Sequence, residues 1–163
     1  MGTGKTTVGA LVAERLGWSF VDTDALVKVA TGMSVAEIFA TQGEVAFRAL
    51  EREACREASA RQHVVISVGG GAVMDPENRR ALEASGMLVL LTCERDRLIE
   101  RLEESVRRGE RPLLTGDIGK RIDTLAASRA QVYGSIAMKV DTTRLTPEEV
   151  VEILVRDCNP LLS

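Results

Sequence analysis

Apolar residues at Val8, Leu11, Val12 and Leu16 recur at helical spacing and stop at Gly17, which predicts a helix over 6–16 closed by glycine. A short strand is expected over 18–21, bounded by Gly17 and Asp22. From 34 to 58 two helical patterns follow, Val35-Ile38-Phe39 and Val45-Ala46-Leu50, hinged at Gly43. The stretch 63–68 is the clearest strand in the chain, and it runs straight into Gly69-Gly70-Gly71. A helix over 75–85, with Pro76 in its first turn, precedes a buried strand over 87–92. Helices over 97–106, 120–135 and 147–155 and a strand over 138–140 complete the pattern, with a polar, arginine-bearing loop at about 107–119. Strands alternating with helices imply a parallel sheet covered on both faces, in one domain spanning 1–163.

Composition narrows the class. The 163 residues are 45% hydrophobic but only 3% aromatic, so an aliphatic core forms without stacking platforms for bases. With 21 Lys+Arg against 24 Asp+Glu the net charge is −3, which argues against a general nucleic-acid binder. An anionic ligand must therefore meet a local basic cluster. Cys55, Cys93 and Cys158 are odd in number and lack metal-ligand spacing, and His63 is the only histidine; neither a disulfide framework nor a zinc site is expected, and the usage reads as a reducing cytoplasm. The longest apolar run, 87–91, is far short of a membrane helix.

Five places carry candidate chemistry. Gly4-Lys5-Thr6 ahead of a helix reads as the end of a phosphate-binding loop, in which backbone N–H groups cradle phosphates, lysine reaches the terminal oxygens and threonine holds Mg²⁺; the bland alternative is a glycine-rich tail. A full motif has its first glycine two residues ahead of Met1 and a strand before that. The chain is thus expected to begin inside its phosphate loop, short by on the order of ten residues. Asp22-Thr23-Asp24 ends a strand, where doubly wound folds bind ligands, and could divide metal and base roles between two carboxylates; either aspartate could equally cap a helix. Ser67 and the three glycines offer bare backbone to a ligand, with Ser67 able to hold a metal-bound water, or else form a tight turn. Arg48 with Glu51, and Arg129 four residues before Tyr133, are either surface charges or two guanidinium forks for a planar carboxylate. Arg111-Pro112 lies in the 107–119 loop, as surface charge or as an arginine that closes over transferring phosphoryl groups.

Together these residues resemble one family, the shikimate kinases, P-loop enzymes that phosphorylate the 3-hydroxyl of shikimate with ATP. The resemblance covers essentially the whole chain. It rests on Gly2-Thr3-Gly4-Lys5-Thr6-Thr7, Asp22-Thr23-Asp24, the run from Phe47-Arg48 to Glu51, Gly69-Gly70-Gly71, Arg111-Pro112-Leu113-Leu114 and Arg129 with Tyr133, in the family's order. It implies a three-layer α/β/α P-loop kinase fold around a central parallel sheet whose first, central strand is absent from this chain. It also implies that Lys5 and the amides of Gly2, Thr3, Gly4, Thr6 and Thr7 bind ATP phosphates, while Thr6 and Asp22 serve Mg²⁺. Asp24 would be the base and would bind substrate hydroxyls, while Arg48, Arg129 and the backbone of Gly70 and Gly71 fix shikimate. Glu51 would orient Arg48. Arg111 would be the lid arginine, and Arg107 or Arg108 with Pro147 would flank the adenine; where some relatives carry a further arginine two residues before that proline, this chain has Leu145, beside Arg144. A cytoplasmic monomer with no nucleic-acid or membrane partner is expected. A gluconate- or nucleotide-type kinase would share the loop and lid but not the arginine pair with the triple glycine. A non-catalytic nucleotide-binding remnant would follow from loss of the first strand.

Overall fold

The computed structural model describes residues 2–107 and 116–158. Helix α1 (Lys5–Leu16) ends at Gly17, whose φ of 67° lets its N–H reach back to the Ala13 and Glu14 carbonyls. Strand β1 (Ser19–Asp22) runs directly into α2 (Thr23–Thr31), because the Asp22 side chain both ends the strand and caps the helix. Helix α3 (Val35–Thr41) starts on a capping box between Ser34 and Glu37, and Gly43, at φ 81°, makes the bend into α4 (Gly43–Ser59). Strand β2 (Val64–Ser67), a 3-10 turn (Ala72–Met74) and α5 (Pro76–Ser85) follow, then β3 (Val89–Thr92) and α6 (Arg95–Arg107). Helix α7 (Ile118–Gly134), β4 (Met138–Asp141) and α8 (Pro147–Cys158) complete the described chain. Of the residues expected in the 107–119 loop, Arg107 belongs to α6, and Ile118 and Gly119 to α7.

Among the described residues all strand pairing is parallel, as expected, and the strands form two pairs. Strand β1 pairs with β2, setting Asp22 opposite Ser67, and β3 pairs with β4, setting Thr92 opposite Asp141. Among the described residues β2 and β3 are not hydrogen-bonded to each other. A narrow cavity lies beside β3 and the segment that follows β2, lined by Val68, Val73, Val89 and Leu91 among others. Val64, Val65, Ile66, Val89 and Leu90 are accordingly only half-buried, whereas aliphatic runs in a continuous parallel sheet are covered on both sides.

One core joins the two pairs: Val8 and Val12 of α1 and Val150, Val151 and Leu154 of α8 pack with Leu91 and Val140, and Val65 and Val89 lean on this group. A second core, around Val27, Ile38, Phe47 and Ala54, binds α2, α3 and α4 into a small helical unit. The phosphate loop thus rests on the first core and α4, with its arginine, on the second. No helix among the described residues is long and apolar enough to cross a membrane.

Candidate active site

Gly2 and Gly4 have φ values of 75° and 86°, a left-handed conformation that a side chain would strain. Gly4 is the N-cap of α1 and offers no side-chain cap, so the first amides of the helix point out at its positive end. Thr6 lies at that end and its hydroxyl donates to Asp22 Oδ2 at 3.2 Å. The other carboxylate oxygen of Asp22 accepts from the Asp24 and Ala25 amides at 3.0 and 3.3 Å. Asp22 therefore caps α2 with one oxygen and meets the Thr6 hydroxyl with the other. A hydroxyl beside a carboxylate oxygen is the hard donor set that suits Mg²⁺, which takes few protein ligands and fills its shell with phosphates and water. Ser67, buried, faces this point across the β1–β2 ladder. Asp24, at the first turn of α2, has its carboxyl held above the ordinary range, by burial first and then by the charge of Asp22, with Lys5 and Arg48 pulling the other way.

The triple glycine has a specific geometric reason. None of the three takes a left-handed φ, so the turn they make, closed by the Ala72 amide on the Gly69 carbonyl at 3.0 Å, does not itself require glycine. Side chains lie against each in turn. A Cβ at Gly69 would stand 3.1 Å from Asp24 Oδ1 and 3.2 Å from Glu51 Oε1; one at Gly70, 2.6 Å from Arg129 Nη1; one at Gly71, 2.7 Å from Arg48 Nη1. Two guanidinium groups and two carboxylates converge on one stretch of bare backbone. Arg48 is held by Glu51, 2.7 Å from Nη1, and by Glu44, 3.0 Å from Nη2. Glu51 is 2% exposed, and burial pushes its carboxyl up even with Arg48 beside it. The Tyr133 hydroxyl donates to the Gly70 carbonyl at 2.7 Å, and Arg129 Nη1 reaches that hydroxyl at 3.5 Å.

On the other side of the phosphate loop lies a cavity of about 600 Å³, a size that suits a small-molecule ligand. Gly2, Thr3, Gly4 and Thr7 form one wall, Arg97, Arg101 and Leu102 of α6 another, and the 142–147 turn, including Pro147, the third. Arg101 fixes that third wall by donating to the Thr142 carbonyl at 2.7 Å and to its hydroxyl at 3.1 Å.

Comparison with known proteins gives the family of the chain. The shikimate kinase family model matches residues 1–159. The chain belongs to the shikimate kinase family. The shikimate kinase of Geobacter metallireducens is 46% identical over 152 residues, covering 93% of this chain and 83% of that one, and that of Symbiobacterium thermophilum is 45% identical over 154 residues, covering 93% and 87%. Among solved structures, shikimate kinase from Acinetobacter baumannii in complex with shikimate superposes with a TM-score of 0.86 at 31% identity, over 100% of this chain and 91% of that one. The enzyme from Bacteroides thetaiotaomicron gives 0.88 at 30% identity, over 98% and 94%. The chain is a P-loop kinase that uses ATP with Mg²⁺ to phosphorylate shikimate.

In the fold of a shikimate kinase, the described residues expected from sequence stand in two neighbouring groups. Thr6 with Asp22 and Asp24 stand at the end of β1; Arg48, Glu51 and Arg129 stand at the glycines. Arg107, named with Arg108 as the alternatives to flank the adenine, is exposed at the end of α6 and is not among the residues that line the cavity, while Arg101 and Arg97, about one and a half to three turns earlier, are. Arg108 and Arg111 lie outside the described residues, as does most of the predicted lid. Arg101 was missed by sequence reading, although its helical spacing from Arg97, with Leu98 and Leu102 beside them, marks one face of α6 as turned inward.

Proposed function

We propose that shikimate binds at the Gly69-Gly70-Gly71 turn, its carboxylate gripped by Arg48 and Arg129 and by the adjoining backbone, with its hydroxyls against Asp24. The observation that carries this reading is the convergence of both guanidinium groups on neighbouring glycines, beside a carboxylate whose environment favours the neutral form. Two planar forks suit a carboxylate better than two ammonium groups would. Asp24 accepts the proton of the attacking 3-hydroxyl as the oxygen bonds to the γ-phosphorus and ADP leaves. Lys5 and the amides of Gly2, Thr3, Gly4, Thr6 and Thr7 hold the phosphates. Mg²⁺, held by Thr6 and Asp22, neutralises phosphate charge when bound. Glu51 orients Arg48, and Tyr133 fixes the Gly70 carbonyl next to Arg129. The nucleoside occupies the cavity between Arg101 and Pro147, and Arg111, within a lid at about 107–119, covers the phosphates. The protein acts as a cytoplasmic monomer of one domain.

The reading is tested by calorimetric titration of shikimate and ADP, separately, into Arg48→Ala and Arg129→Ala. Each variant is expected to lose shikimate binding and retain ADP binding. Parental shikimate affinity in both would contradict the assignment.

A further inference from the structure

Arg95 opens α6 and Asp123 lies near the start of α7. Arg95 Nε and Nη2 donate to Asp123 Oδ1 and Oδ2 at 2.7 and 2.9 Å, a two-point fork between the helices. The guanidinium passes directly over Gly119, where a Cβ would stand 2.8 Å from Nη2. Gly119 has no left-handed φ to justify it, and glycine weakens a helix, so the bare Cα is explained by the guanidinium that lies on it.

The two helices serve different halves of the site. Helix α6 presents Arg101 to the nucleotide cavity, and its Leu98 and Leu102 lie so close to Gly2 of the phosphate loop that a Cβ there would meet both at 3.0 Å. Helix α7 carries Arg129 and Tyr133 to Gly70. Asp123 and Arg129 are six residues apart on that helix, about 9 Å along its axis. We propose that the Arg95–Asp123 fork, seated on Gly119, is a positioning contact that sets α7 against α6 and so places Arg129 at the substrate carboxylate; this rests on the role given to Arg129 above. Exposed ion pairs contribute little to stability, but a planar two-point fork restricts orientation, so its loss registers in substrate binding more than in melting.

The test measures shikimate KM, ATP KM and Tm for Arg95→Gln, Asp123→Asn and Gly119→Ala, with Arg129→Ala in parallel. Gly119→Ala is the most informative, because alanine favours the helix while its methyl group occupies the guanidinium's place. All three fork variants are expected to raise shikimate KM by about threefold to fivefold, with ATP KM and Tm close to parental. The exchanged pair, Arg95→Asp with Asp123→Arg, is expected to move shikimate KM back towards the parental value. Parental shikimate KM in the fork variants, or an equal rise in ATP KM, overturns the proposal. A parental shikimate KM in Arg129→Ala overturns it together with the site reading; a large rise there with parental fork variants overturns the fork alone.

Discussion

Asp24 is the residue proposed as the base, and its surroundings oppose its own ionisation. Burial and the neighbouring Asp22 raise its pKa in the folded chain, more than Lys5 and Arg48 lower it. A general base works only when ionised, so turnover falls as pH drops through this raised value, and the acid limb of the pH–rate profile lies above the ordinary carboxylate range. The sign for stability is the opposite one. Folding favours the protonated form, a contribution present in full below the unfolded pKa and lost as pH rises through the folded one. At neutral pH the charge therefore costs stability. Asp24→Asn is expected to lower kcat by about 10²–10⁴-fold and to raise Tm, measured by steady-state assay and thermal melt. Retained turnover, or an acid limb unchanged in the variant, would contradict the base assignment.

The decisive element is the turn after β2, where three successive glycines receive Asp24 with Glu51, then Arg129, then Arg48. Gly70→Ala has no backbone strain to overcome, yet its methyl group meets Arg129 Nη1 at 2.6 Å. It is expected to raise shikimate KM by about tenfold or more with ATP KM unchanged, a loss equivalent to one charge-assisted contact. Parental shikimate KM in this variant would show that the turn does not set the arginine. The glycine run was legible in sequence, but as bare backbone for a ligand; that side chains occupy it is tertiary information. Other elements were legible in proportion to their punctuation. Gly17, Gly43 and Pro76 mark ends or bends that the structure keeps. Helix α2 was not read as an element although Asp22 could cap it and Gly32 closes it, because Asp22 is at once the end of β1 and the cap of α2, leaving no loop between them. Arg101 was obscured differently, in a helix of alternating charges whose inward face is set only when the 142–147 turn packs against it.

At the scale of the molecule, the two proposed ligand regions lie on either side of the phosphate loop. The cavity proposed for the nucleotide is walled by α6 and the turn before α8, on the core that joins the strand pairs; the glycine turn faces α4, on the core of the helical unit. Phosphoryl transfer needs little covalent help from a protein beyond holding donor and acceptor in line, and the proposed division would do so with two sets of arginines. The resemblance implied a parallel sheet without its first, central strand, and the described strands form two parallel pairs; the half-burial of the facing strands was not legible, since it depends on what lies alongside. The most direct test of the central claim is ³¹P NMR of the products formed from ATP, Mg²⁺ and shikimate, with gluconate and a nucleoside monophosphate as competing acceptors. The account predicts ADP and a single phosphate ester at the 3-hydroxyl of shikimate, with the competitors unmodified. Phosphorylated gluconate or nucleotide in equal yield, or ADP released with no shikimate ester, would contradict it.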